Sequence, residues 1–207
     1  MDAAQGCALL PTEWLNDGRT YYAIGGTKLG APGGVGVLRV PVAAFYAART
    51  SGRPFEGDTV AWLPAIGLGA VCAERCAARP EFLRVARERE RALWEVMRAA
   101  SPAVVVNGAE DLRTGTMLNV SFPGVSGKAL SSALGLERIC ISHTSACQAS
   151  RADASPVVRA AYLGSPERAV GATRWSLSER VTKEDIERVA SVLPRVLAMS
   201  RDPGRRP

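Results

Sequence analysis

Apolar positions along this chain follow two different periods. "TYYAIGG" and "GVGVLRV" are short apolar runs bounded by glycine, which predicts two strands flanking a glycine-crowded turn. From about Ala65, "VAWLPAIGLGAVCAERCAA" predicts a mainly apolar helix, with Pro80 at the next junction. "EFLRVARERERALWEVMRAA" then repeats Phe82, Leu83, Ala86, Leu93, Val96 and Met97 at helical spacing, so a second helix buries that face. A boundary is expected between these helices, near Arg79 to Arg84. Further on, "AVVVNG", "TMLNVSF", "RICIS" and "GATRWSLS" predict strands, and "SGKALSSALG" predicts a short helix ending at Gly135. "SPVVRAAYL" predicts a helix with Ser155 as N-cap and Pro156 in its first turn. "TKEDIERVASVLPRVLAMS" predicts the last helix, opened by Thr182 and Asp185 as a capping box and kinked by Pro194. Strands alternating with helices place the chain in the α/β or α+β class.

The 207 residues suffice for one ordinary domain or two small ones, and 47% hydrophobic residues can bury a core. No apolar run is long enough to span a bilayer, and the start lacks a basic-then-apolar signal pattern, so a cytoplasmic protein without membrane contact is expected. The net charge of +6 raises the question of nucleic acid. The arginines, however, are spread along the chain and alternate with glutamates on one helix face, with no aromatics placed for stacking, so nucleic acid is not an expected partner. The tail "RDPGRRP" (201–207) is expected to be disordered. Five cysteines without paired spacing argue against a disulfide framework. Cys72 and Cys76, four apart on one helix face, read as packing residues. One histidine in the whole chain makes a structural zinc or other metal site an unfavoured reading.

Four residues draw attention for their chemistry. Lys28 stands in a turn of glycines, Asp2 in "MDAAQ", Cys147 in the small-residue loop "SHTSACQAS", and Arg174 in the strand "ATRWSLS". Each has an ordinary reading alone: a surface lysine, a terminal acid, a small buried thiol, an outward-facing arginine. Together they are the parts of a pyridoxal-phosphate site for a sulfur amino acid. A lysine amine bonds to the cofactor aldehyde, and a carboxylate keeps the pyridine nitrogen protonated. An arginine grips a substrate carboxylate with two prongs, and a loop thiolate reaches the substrate sulfur.

The motifs resemble those of cysteine desulfurases, in the class V aminotransferase group of pyridoxal-phosphate enzymes of fold type I. "MDAAQ" resembles that family's "VDAAQ", "GGTKLGAPGGVGVL" its "SGHKxxGPxGxGxL", and "FEGDT" the "FEAGT" of one branch. "TMLNVSFPGVSGKALSSAL" resembles "TLNxSFPGVxGEALLxxL", "SHTSACQAS" resembles "SSGSACSSG", and "ATRWSLS" resembles "SIRFSLG". The resemblance implies that Asp2 pairs with the pyridine nitrogen, Gln5 bonds the ring's phenolic oxygen, and Lys28 is the covalent anchor and proton shuttle. It implies that Thr59 reaches the cofactor phosphate of a neighbouring subunit in a homodimer. Cys147 takes the substrate sulfur as a persulfide, and Arg174 binds the substrate α-carboxylate. The implied reaction converts L-cysteine to L-alanine, with a sulfur-acceptor protein as a further partner; a selenium analogue of the substrate stays open.

The chain departs from the pattern in four places. Thr27 stands where the family has histidine and Gly25 where it has serine, both on the phosphate side. Asp58 precedes Thr59 in place of glycine, and Glu179 stands where an arginine is usual. Family members are roughly twice as long, so the resemblance covers their C-terminal half. The expected architecture is α/β: residues 1–83 as a partial large cofactor-binding domain, and residues 84–200 as the small C-terminal domain. Met1 stands at the family's valine, as a valine codon read as a start would give. The chain is expected to be a fragment or a genuinely half-length protein, inactive or poorly soluble alone, and completed by a chain supplying the N-terminal half. A non-catalytic paralogue or interaction module of a sulfur-transfer system is the alternative.

Overall fold

A computed structural model of the chain describes residues 3–4, 6–10, 17–50, 61–144 and 154–201. The chain divides into two units, Met1–Phe82 and Leu83–Pro207.

In the first unit the two expected strands form β1 (Tyr22–Gly25) and β2 (Gly36–Arg39), an antiparallel pair in the register Tyr22↔Arg39 to Gly25↔Gly36. The turn before β1 is shaped by Asp17, whose carboxylate accepts the backbone N–H groups of Arg19 and Thr20 at 3.0 Å each. Between the strands the glycine-rich stretch is not an open turn. It forms one helical turn, α1 (Gly26–Leu29), closed by Gly30 at φ 98°, a left-handed position that glycine occupies without steric cost. A further helix, α2 (Val42–Thr50), follows. Leu29, Ala31 and Leu68 form a small buried cluster, with Ile24, Val35, Val71 and Cys72 packed against it. Cys72 is thus a packing residue as expected, while Cys76 is exposed.

The two helices expected on either side of Pro80 are one continuous helix, α3 (Trp62–Ala100), with Pro80 inside it. Proline removes one N–H and crowds the carbonyl four residues earlier. Pro80 and Cys76 are both exposed, so water can satisfy that freed carbonyl. Packing holds the helix on both sides of the proline. Leu68 and Cys72 join the first unit's cluster, while Leu93 and Met97 join the core of the second.

The second unit holds a three-stranded antiparallel sheet, β3 (Val105–Val106), β4 (Met117–Ser121) and β5 (Ala172–Ser176), with β4 in the middle. Helices α4 (Gly127–Leu136), α5 (Pro156–Ala161), α6 (Pro166–Val170) and α7 (Lys183–Met199) complete it. Strand alternation sorts the faces. Leu118, Val120 and Trp175 join Phe122, Leu130, Leu134, Leu193 and Val196 in the core. The expected caps are present: Ser155 accepts from Val158 N–H at the start of α5, and Thr182 and Asp185 form a reciprocal capping box on α7.

The expected strand "RICIS" is not one. Only Ser142 pairs, as a single antiparallel bridge to Arg174. Before it the chain is held by other partners: Ile139 N–H donates to Leu134 O at 2.9 Å, and Ser131 Oγ donates to Ile141 O at 3.1 Å. Those bonds tie the segment to α4 rather than to the sheet edge. Among the described residues no helix is long and apolar enough to cross a membrane.

Candidate functional site

The candidate residues fall in both units, and each part is described within its own. Asp2, Gln5, Thr59 and Cys147 lie outside the described residues.

In the first unit Lys28 and Thr27 sit side by side on α1, both exposed. The short helix exists because its first residue is glycine: a Cβ on Gly26 would lie 2.6 Å from Val35 O, closer than packed atoms tolerate. Gly26 N–H instead donates to that same oxygen at 3.1 Å. Leu29 is buried beneath the turn, so α1 is anchored by one side chain while its neighbour Lys28 faces outward. The Lys28 amine has no hydrogen-bond or ion-pair partner among the described residues. Beside it runs a shallow groove lined by Ala4, Ala23, Ile24, Gly25, Gly36, Val37 and Leu38. Lys28 Cγ lies 4.0 Å from where a Cβ on Gly25 would stand, an ordinary packing distance. Ala3 is buried, and its N–H donates to Ala23 O at 2.9 Å, which moors the start of the chain alongside β1.

In the second unit the face of the sheet opposite the core is polar. Asn119 and Arg174 are register partners on β4 and β5, and Ser142 bridges Arg174 on the far side. Asn107 Nδ2 donates to Asn119 Oδ1 at 2.8 Å and to Ser121 Oγ at 2.7 Å. Arg168 donates to Asn107 Oδ1 at 3.2 Å and to Val106 O at 2.6 Å, and lies 3.7 Å over the Tyr162 ring. This network pins α5 and α6 against the sheet. Arg174 is tied to Ser142 by two backbone bonds, 3.1 and 2.6 Å, and by its Nη2 donating to Ser142 Oγ at 3.2 Å. Its Nε is buried and makes no hydrogen bond among the described residues, and the same holds for His143 Nε2 and Thr144 Oγ1. His143 and Thr144 carry no signal in the sequence. No periodicity marks them, because their burial emerges only once the chain bridges to β5.

The described cysteines bear on which thiol can react. Burial pushes the Cys7 and Cys72 thiols above the ordinary range, and the neighbouring thiols push the same way. A raised thiol is a poorer nucleophile at neutral pH.

The chain is 31% identical to a cysteine desulfurase of Sinorhizobium fredii over 210 residues, covering 97% of this chain and 53% of that protein. These homologues are cysteine desulfurases. The cysteine desulfurase NifS of Azotobacter vinelandii is also 31% identical, over 97% of this chain and 51% of its own length. The solved structure of a NifS-like protein superposes with a TM-score of 0.77 at 18% identity, covering 96% of this chain and 52% of that one, a likeness of fold. No family model matches the chain. The chain spans about half the length of the cysteine desulfurases it matches, consistent with their C-terminal half. Cysteine desulfurases are pyridoxal-phosphate enzymes. The described residues fit the aldehyde end of that cofactor: an amine without a partner among them, on a glycine-built turn next to a groove walled by small and apolar residues. On the phosphate side Thr27 offers one hydroxyl and Gly25 offers no side-chain donor.

Proposed function

We propose that this chain is the lysine- and cysteine-bearing half of a cysteine desulfurase, converting L-cysteine to L-alanine and passing the sulfur to Cys147 as a persulfide. The observation that carries this is Lys28, an outward-facing amine without a partner among the described residues, presented on a glycine-built turn. Lys28 is the covalent anchor for pyridoxal phosphate and holds the proton exchanged at the substrate Cα. Asp2 pairs with the pyridine nitrogen, Gln5 with the ring oxygen, and Thr27 with the phosphate. Thr59 contributes to the phosphate site of a neighbouring subunit. Arg174 binds the substrate α-carboxylate with the donors that Ser142 leaves free. When bound, the cofactor supplies an electron sink at the substrate Cα. The enzyme works as a homodimer and delivers its sulfur to an acceptor protein.

The test is cofactor uptake. Purified chain incubated with pyridoxal phosphate and reduced with borohydride should carry the cofactor mass on the peptide containing Lys28. The Lys28→Ala variant should carry none there. Label distributed over several lysines at equal yield would defeat the assignment.

A non-catalytic module of a sulfur-transfer system is the second reading, favoured by the missing side-chain donor at Gly25. A chain that takes up no cofactor at any concentration would support that reading.

A further inference from the structure

We propose that His143 and Thr144 join Arg174 in binding the substrate carboxylate. This rests on the reading of Arg174 as the carboxylate-binding residue. Buried hydrogen-bonding groups in folded proteins are nearly always satisfied. Among the described residues six side-chain atoms are buried without a hydrogen-bond partner: three belong to the Glu90–Arg113 ion pair, and the other three are Arg174 Nε, His143 Nε2 and Thr144 Oγ1. These last three belong to one short stretch and the strand residue bridged to it: Ser142 pairs with Arg174, and His143 and Thr144 follow Ser142 directly. Thr144 is 9% exposed, so water reaches it poorly.

The chemistry of the three groups narrows what they await. A guanidinium Nε–H only donates, a threonine hydroxyl donates freely, and an imidazole Nε2 donates in one neutral tautomer and when protonated. A carboxylate has two oxygens and about four acceptor sites, enough for three donors. A single backbone carbonyl has one oxygen and would leave at least one donor orphaned. Ser142 Oγ, 3.2 Å from Arg174 Nη2, fixes the guanidinium through that nitrogen and leaves Nε unused. The ligand class is therefore a small molecule with an anionic carboxylate, as in an α-amino acid.

The only histidine in the chain is His143, so its imidazole proton signals in an NMR spectrum are already assigned. Titrating the cofactor-free chain with L-alanine should move those signals saturably. Calorimetry should show L-alanine binding weakened about tenfold in His143→Ser and in Thr144→Val, the scale of one lost hydrogen bond to a charged group. Arg174→Lys, which keeps the charge and loses the fork, should weaken it at least as much. Binding that persists undiminished in His143→Ser and Thr144→Val but is lost in Arg174→Lys would overturn this inference and leave the proposed function standing. A wild-type chain that binds no L-alanine, or binds it equally well in Arg174→Lys, would overturn both this inference and the role given to Arg174.

Discussion

At the scale of single residues, the costliest group buried in the second unit is a carboxylate held against one guanidinium. Glu90 on α3 is 7% exposed and faces Arg113, with Nε and Oε1 3.0 Å apart. Burial raises the Glu90 carboxyl above its ordinary value, and Arg113 pulls it back part of the way. The folded state therefore holds that proton more tightly than the unfolded chain, so stability falls as pH rises from about 4.3, the unfolded glutamate value, through the raised folded value. Glu90→Gln should abolish this slope in denaturation curves recorded across that window. Arg113→Met should steepen it, and should cost about 3 kcal/mol at neutral pH by leaving a buried charge uncompensated. Lys28 and Arg174 were recognisable as candidates from residue type and neighbours alone. His143 and Thr144 were not, because an unpartnered donor has meaning only after folding has removed it from water.

At the scale of elements, local signals succeeded where the chain's own bonds decide the outcome. The Ser155 cap and the Thr182–Asp185 box are short-range interactions written in adjacent residues, and the structure shows both. The break expected at Pro80 and the strand expected at "RICIS" failed for the opposite reason. In each case tertiary partners overrode a local preference: core packing on both sides of the proline, and the bonds from Leu134 and Ser131 that draw residues 139–141 toward α4. Pro80 therefore sits in α3 at a cost. Pro80→Ala restores an N–H to the ladder and removes the ring clash, so it should stabilise the chain by up to about 3 kcal/mol. A rise in the denaturation midpoint measures the gain. A midpoint that stays put or falls would mean that α3 does not continue through residue 80 in solution.

At the scale of the whole molecule, the two units differ in how much apolar surface they hide. Among the described residues, fifteen buried side chains form the main cluster of the second unit, whereas three form that of the first. The first unit leaves Val37 and Leu38 on β2, Val42 and Tyr46 on α2, and Trp62, Leu63 and Ile66 on α3 exposed. Large apolar side chains clustered on one small unit mark a surface that is normally covered. An apolar surface of this kind is removed from water by packing against further polypeptide, a second copy of the chain included. The chain alone should consequently self-associate, with sedimentation coefficients that rise with concentration. Replacing Trp62 and Leu63 by serine should move the distribution toward monomer, because it removes apolar area at exposed positions without touching either buried cluster. Sedimentation as a single monomeric species at all concentrations would show that this surface is tolerated by water.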